Sequence, residues 1–220
     1  MADYIYIPFP HRVFDQLVVD WNKGRSSKGK VAHIVKKPRG SIKSKFPSSM
    51  AGSLIAPNAH NKLYVMAHGA TAGSRRIGGE DDSTFTAAEL AADLEGEGLT
   101  KNFVDLRCWV CGSGLGPIVP DPQSQSSFQI EPFAQTLADE LYDRGYTNIQ
   151  VTGYFGEVYS AYYDSNRTFG DGLDAGDSDV VQGSHRSVKL GINGPEHHKL
   201  VRASDAKQVF HPKRTRRRAG

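Results

Sequence analysis

Apolar positions along the chain change their spacing several times, and each change predicts an element. Tyr4-Ile5-Tyr6-Ile7 has strand composition and is stopped by Pro8 and Pro10, while Val13 to Trp21 fits a short helix closed by the turn-forming run NKGRSSKGK. Residues 22–61 are rich in Gly, Ser, Pro and Lys and predict extended surface chain, with one apolar island from Val31 to Val35 suited to an edge strand. From Lys62 the pattern sharpens. Leu63-Tyr64-Val65-Met66-Ala67 is a continuous apolar run ending in His68-Gly69, as expected of a strand buried on both faces. A charged, glycine-rich loop, ATAGSRRIGGEDDST, leads to a helix whose two ends are marked. Thr86-Ala87-Ala88-Glu89 is a capping box, Leu90 and Leu94 fall four apart on one face, and Gly96 and Gly98 supply the stop. Phe103 to Val110 predicts a second strand running into Cys111-Gly112-Ser113-Gly114. Beyond a Pro- and Gln-rich loop reaching about Glu131, Phe133, Leu137 and Leu141 mark a second helix with Gly145 as its stop, and Ile149 to Tyr154 a third strand. Tyr162 to Gly183 is rich in Asp, Gly and Ser and predicts a long loop, and Ser184 to Leu190 a late strand.

Strand, helix, strand, helix, strand in succession predicts an α/β fold, a mainly parallel sheet flanked by helices and joined by right-handed crossovers. Ligands and reactive groups in such sheets gather beyond the carboxyl ends of the strands. His68 and Cys111 occupy that position on consecutive strands. Adjacent strands lie about 4.8 Å apart, so groups at their ends can approach across a shared cleft.

A chain of 220 residues suits one α/β core with elaborated ends. The expected division is a basic, partly ordered extension at 1–61, the α/β domain at 62–190 and a basic tail at 191–220. Charge supports it: residues 1–50 carry ten Lys and Arg against three Asp, residues 185–220 ten against two acids, and residues 51–184 seven against nineteen. Solvated ends are one reading of this division; contact of the ends with nucleic acid or an acidic partner is the other. No run reaches the roughly 18 apolar residues of a membrane helix, so no membrane span is expected. The first residues lack the basic and apolar regions of a secretory signal. The expected location is cytoplasmic, or a target cell reached without a classical signal peptide. Two cysteines three residues apart, Cys108 and Cys111, exclude a disulfide scaffold and leave a chemical or incidental role.

Thiol catalysis is the chemistry that a histidine and a cysteine at neighbouring strand ends support. Gly-Ser-Gly after Cys111 lets the backbone turn sharply and leaves amides near the sulfur, Gly112 among them, able to hold the negative oxygen of a tetrahedral intermediate; Gly69 adds another donor. His68 can take the thiol proton and pass it to a leaving amine. Cys108 falls in the alternating row Val104, Leu106, Cys108, Val110, which predicts a packed face; if the strand ends one turn earlier, the two cysteines exchange roles.

An apolar strand ending in His68-Gly69, a helix, then an apolar strand ending in Cys111 and small residues resembles the caspase-like cysteine peptidases of clan CD. Ser83-Thr84-Phe85-Thr86-Ala87-Ala88-Glu89-Leu90-Ala91 and the Phe133-Ala134-Gln135-Thr136-Leu137-Ala138 helix are similar to the self-processing protease domains of large bacterial toxins. The resemblance covers about residues 62–160. It implies a caspase-like three-layer sandwich and a cysteine endopeptidase without a cofactor. It further implies His68 and Cys111 as the dyad, the Gly69 and Cys111 amides as the oxyanion site, a protein or peptide substrate, and a bacterial effector or toxin-associated setting.

Glu80, Asp81, Asp82 and Asp121 fall in the loops on the rim of that face; if one lines the specificity pocket, Arg or Lys is favoured before the scissile bond. Tyr154-Phe155-Gly156-Glu157 ends the third strand there and is a candidate pocket wall, Tyr154 foremost. Cys108-Trp109-Val110-Cys111 also fits a redox C-x-x-C, but the following Gly-rich segment is a poor helix. Structural zinc has only His197-His198 to add to the cysteines, so no metal is expected. Ser113 lacks the first glycine of a G-x-S-x-G elbow because Cys111 stands there. The alternative function is a non-catalytic α/β interaction module docking through its basic termini. Self-cleavage at Lys36-Lys37-Pro38-Arg39-Gly40 or at Arg216-Arg217-Arg218 is a further expectation.

Overall fold

Strands apolar on both faces must lie inside a covered sheet, and the chain supplies several. The computed structural model describes residues 3–9, 21, 33–36, 61–79, 82–120, 126–159, 187–191 and 198–213. Its main sheet has six strands: β1 (Asp3–Ile7), β2 (His33–Lys36), β3 (Lys62–Met66), β6 (Asp105–Trp109), β9 (Gln150–Tyr154) and β13 (Lys207–Phe210). Their spatial order is β13-β9-β6-β3-β1-β2, and all are parallel except β13, which runs antiparallel to β9. The protein is therefore an α/β fold with a mostly parallel central sheet. The strands expected at Tyr4–Ile7, Leu63–Ala67, 103–110 and 149–154 all join it, and the apolar island at 31–35 becomes the edge strand β2.

Alternation sorts the side chains to two faces. Tyr4, Tyr6, Leu63, Val65, Ala67, Leu106, Cys108, Val110 and Val151 pack under the helices α1 (Ala87–Gly96) and α2 (Phe133–Asp143). Ile5, Ile7, Tyr64, Met66, Trp109 and Tyr154 face the other way, against Trp21, Ala203 and Ala206. Rings carry much of that second layer: Trp109 meets Trp21 at 5.4 Å and Tyr154 at 4.7 Å, both edge-on. Gly153 sits where α2 and the loop after β6 close on β9. A Cβ there would lie 2.8 Å from the Ala134 Cβ and 2.7 Å from the Gly114 Cα.

The helix ends follow the sequence closely. Thr86 accepts from the Glu89 amide, and the Glu89 carboxylate accepts from the Thr86 amide at 2.7 Å, which closes the capping box. Gly98 (φ 91°) and Gly145 (φ 93°) take the left-handed conformation after α1 and α2, and Leu99 and Tyr146 donate back to Leu94 and Leu141.

The boundaries expected at 61 and 190 do not divide the sheet. β1 and β2 come from the segment expected as an extension, β13 from the segment expected as a tail, and β1 is buried along its length. Continuous burial at β1 and pairing at β13 make both ends part of the same layer. Three smaller sheets also interrupt expected loops. The ribbon of β4 (Arg76–Gly78) and β5 (Thr84–Thr86) precedes α1, the hairpin of β7 (Ile118–Pro120) and β8 (Ser127–Gln129) precedes α2, and β10 (Glu157–Tyr159), β11 (Ser187–Gly191) and β12 (His198–Arg202) form a third. The late strand expected at 184–190 corresponds to β11. The helix expected at 13–21 lies outside the described residues apart from Trp21, as does the loop expected at 162–183. Among the described residues no helix is long and apolar enough to cross a membrane.

Replacing Thr86 with Ala removes one half of the capping box and is expected to lower stability by about 1 kcal/mol, read from the urea midpoint at neutral pH. Thr86 hydrogen bonds hold the Glu89 carboxyl below its ordinary value. That contribution is present above the ordinary carboxylate range and is lost as pH falls through the lowered value, so the difference between wild type and Glu89→Gln is expected to vanish in acid.

Candidate active site

The β3–β6 ladder decides where the two reactive residues stand. Met66 is level with Trp109, and two residues further on in each chain come His68 and Cys111. Both pass the carboxyl ends of their strands side by side. Gly69 confirms how closely: a Cβ there would lie 2.5 Å from the Cys111 carbonyl oxygen and 2.5 Å from the Val110 Cγ1, so the two chain segments touch at backbone level.

His68 is pinned by its backbone. Its amide donates to the Gly78 carbonyl at 2.9 Å and its carbonyl accepts from the Gly78 amide at 3.0 Å, an isolated antiparallel bridge onto β4. Arg76, two residues earlier, donates to Thr84 Oγ1 at 2.7 Å and to the capping carboxylate of Glu89 at 3.0 Å. The N-terminus of α1 thereby holds the ribbon that holds His68. The imidazole-bearing residue is exposed, Gly69 half-buried.

Cys111 opens a tightly bonded loop. The β6 strand ends in a narrow turn in which the Val110 amide donates to the Cys108 carbonyl at 2.8 Å. Ser113 then ties three elements: its hydroxyl donates to the Cys108 carbonyl at 2.9 Å, accepts from the Tyr154 amide at 3.1 Å, and its carbonyl accepts from Ala134 in the first turn of α2 at 3.0 Å. Ser113 is thus a structural hydroxyl, 1% exposed, and not a surface nucleophile. Gly112 (φ 62°) takes a left-handed conformation and donates its amide to the Gly156 carbonyl at 2.8 Å. That amide is committed to the loop and is not available as an oxyanion donor. Among the described residues no carbonyl accepts from the Gly69 or Cys111 amide.

The two thiols differ sharply. Cys108 is fully buried under the helices, and burial alone pushes its thiol far above the ordinary range. Cys111 is half-buried at the sheet end. Burial raises its thiol, the Val158 amide and its own amide favour the thiolate, and the Glu157 charge opposes it; the net direction is upward. The resting sulfur is therefore a neutral thiol at neutral pH.

Tyr154 does not wall an open pocket: it is 2% exposed, with its ring packed on Trp109. Alternation sends it into the aromatic layer. Glu80, Asp81 and Asp121 lie outside the described residues, as does His197. Among the described residues no group of three His, Cys, Asp or Glu is placed to hold a metal ion. Of the two residues that act on the sulfur, Glu157 closes the segment 154–157 expected as a pocket wall, whereas Val158 was not among the sequence candidates, since it follows the third strand in a segment with no motif. A groove of about 700 Å³ between the first turns of α1 and α2, lined by Ser74, Arg75, Thr86, Glu131 and Phe133, includes neither His68 nor Cys111.

No protein-family model matches the chain, and no curated protein matches it either.

Alkylation followed by peptide mass mapping is expected to modify Cys111 in the folded protein and Cys108 only after unfolding. The Cys111 rate should climb with pH to a midpoint above the ordinary thiol value of 9.0. Ser113→Ala leaves the Tyr154 amide and one acceptor on Cys108 without their partner, and is expected to lower stability by about 1–3 kcal/mol in urea denaturation.

Proposed function

We propose that the protein is a cysteine endopeptidase of caspase-like, three-layer architecture that hydrolyses peptide bonds through Cys111 and His68. The observation that carries the proposal is the contact between the two strand ends, where Gly69, next in the chain to His68, abuts the Cys111 carbonyl. Burial keeps the resting thiol neutral, so its proton must leave as the sulfur attacks; His68, exposed at the neighbouring strand end, is the base for that transfer.

In the proposed sequence the Cys111 sulfur forms a bond to the scissile carbonyl carbon while His68 takes the thiol proton. The carbonyl oxygen becomes an oxyanion, held by the Gly69 and Cys111 amides. Collapse of this intermediate breaks the carbon–nitrogen bond, and His68 returns the proton to the departing amine. Water, deprotonated by His68, then cleaves the acyl thioester and regenerates the thiol. The resemblance to toxin protease domains extends the proposal to a bacterial effector or toxin-associated peptidase working inside a target cell. Self-cleavage at residues 36–40 or 216–218 belongs to the same proposal.

The charge division of the chain favours a second reading, a non-catalytic module whose basic ends bind nucleic acid or an acidic protein. Cleavage of a peptide library separates the two. Cys111→Ala is expected to abolish cleavage, His68→Ala to reduce it by at least about a hundredfold, and Cys108→Ala to preserve it at reduced stability. Cleavage that survives Cys111→Ala, or is lost only in Cys108→Ala, refutes the assignment.

A further inference from the structure

The turn from β9 into β10 is bonded to the Cys111 loop at successive points. Gly114 donates to the Tyr154 carbonyl at 2.9 Å and Gly112 donates to the Gly156 carbonyl at 2.8 Å. Glu157 directly follows Gly156 and Cys111 directly precedes Gly112, so this last bond brings the two residues close together. It is half-buried, and among the described residues it takes part in no ion pair and no side-chain hydrogen bond. Lys189 holds the register position opposite it on β11.

A carboxylate at that place works against an anionic sulfur. It is therefore a liability to a thiol nucleophile unless a cation meets it. A peptide crossing Cys111 can bring one.

Resting on the peptidase function proposed above, we propose that Glu157 is the specificity-determining residue of the site and receives a Lys or Arg side chain of the peptide lying across Cys111. The ion pair holds the substrate by a charge-assisted hydrogen bond in a partly desolvated position. It also cancels the charge that opposes the thiolate, so a basic substrate assists formation of its own nucleophile, whereas a neutral or acidic one leaves the opposition in place.

Two thiol-directed peptidyl ketone probes, identical except for Lys or Leu at the position next to the reactive carbon, test this on the full chain. Covalent labelling of Cys111 is followed by intact mass for wild type, Glu157→Gln and Glu157→Asp, with iodoacetamide as a reagent that ignores side-chain recognition. Wild type is expected to take the Lys probe at least about ten times faster than the Leu probe. Glu157→Gln should lose most of that ratio, Glu157→Asp keep part of it, and iodoacetamide should react with Glu157→Gln at least as fast as with wild type. A ratio unchanged in Glu157→Gln, or a wild type that prefers Leu, overturns the inference while leaving the peptidase function standing. If iodoacetamide labels Cys111 and neither peptide probe does, the peptidase function fails and this inference with it. The Lys-to-Leu ratio is internal to each protein, so it decides even where a variant slows both probes.

Discussion

The parallel ladder between β3 and β6 is the constraint from which the site follows. Its register sets Leu63 beside Leu106 and Met66 beside Trp109, and just past the strand ends Gly69 meets the Cys111 carbonyl. A slip of one residue would turn each side chain of one strand to the opposite face, moving Cys108 from beneath the helices and Trp109 into them. Such a slip is resisted by two separate apolar layers at once, the aliphatic one under α1 and α2 and the aromatic one around Trp21, Trp109 and Tyr154. The relative placement of the two strand ends is thus secured by packing on both faces of the sheet.

Beyond the strands, hydrogen bonding takes over from packing. On the histidine side the order runs from the capping carboxylate of Glu89 through Arg76 to β4 and so to the His68 backbone. On the cysteine side Ser113 joins β6, β9 and α2, while Gly112 and Gly114 fasten the loop to the β9–β10 turn. The result is opposing influences on one sulfur: partial burial and a nearby carboxylate against two backbone amides. Burial is the largest of these influences and the net direction is upward, so a bound group that offsets the carboxylate would ease loss of the proton.

Long apolar runs and capped helices were legible in the sequence because each is encoded locally. The run at 63–67, the Thr86–Glu89 box and the Phe133, Leu137, Leu141 spacing all lie where the elements form. The positions of His68 and Cys111 followed from the order of those elements. What escaped was encoded by partners instead. β13 reads KQVF and is half exposed, so it has little apolar pattern and exists because β9 offers a free edge. β4 and β5 are three residues each and pair across a charged loop. The commitment of the Gly112 amide to Gly156, the burial of Tyr154 and the approach of Glu157 to Cys111 likewise depend on how β9 turns into β10, a geometry with no local signature. The C-x-x-C spacing was the opposite case, a local signature whose two thiols occupy different environments.

The antiparallel strand β13 pairs with the outer border of β9 and becomes the edge of the sheet on that side. Since β9 ends at residue 154 and its last neighbour begins at 207, a ribosome must add more than fifty further residues before that border is occupied. During that interval the newly made chain carries an uncovered row of amides and carbonyls beside an assembled core, a surface to which another extended polypeptide can add. Synthesis rate through this interval therefore bears on whether the molecule completes its own sheet or lends the border to a stranger.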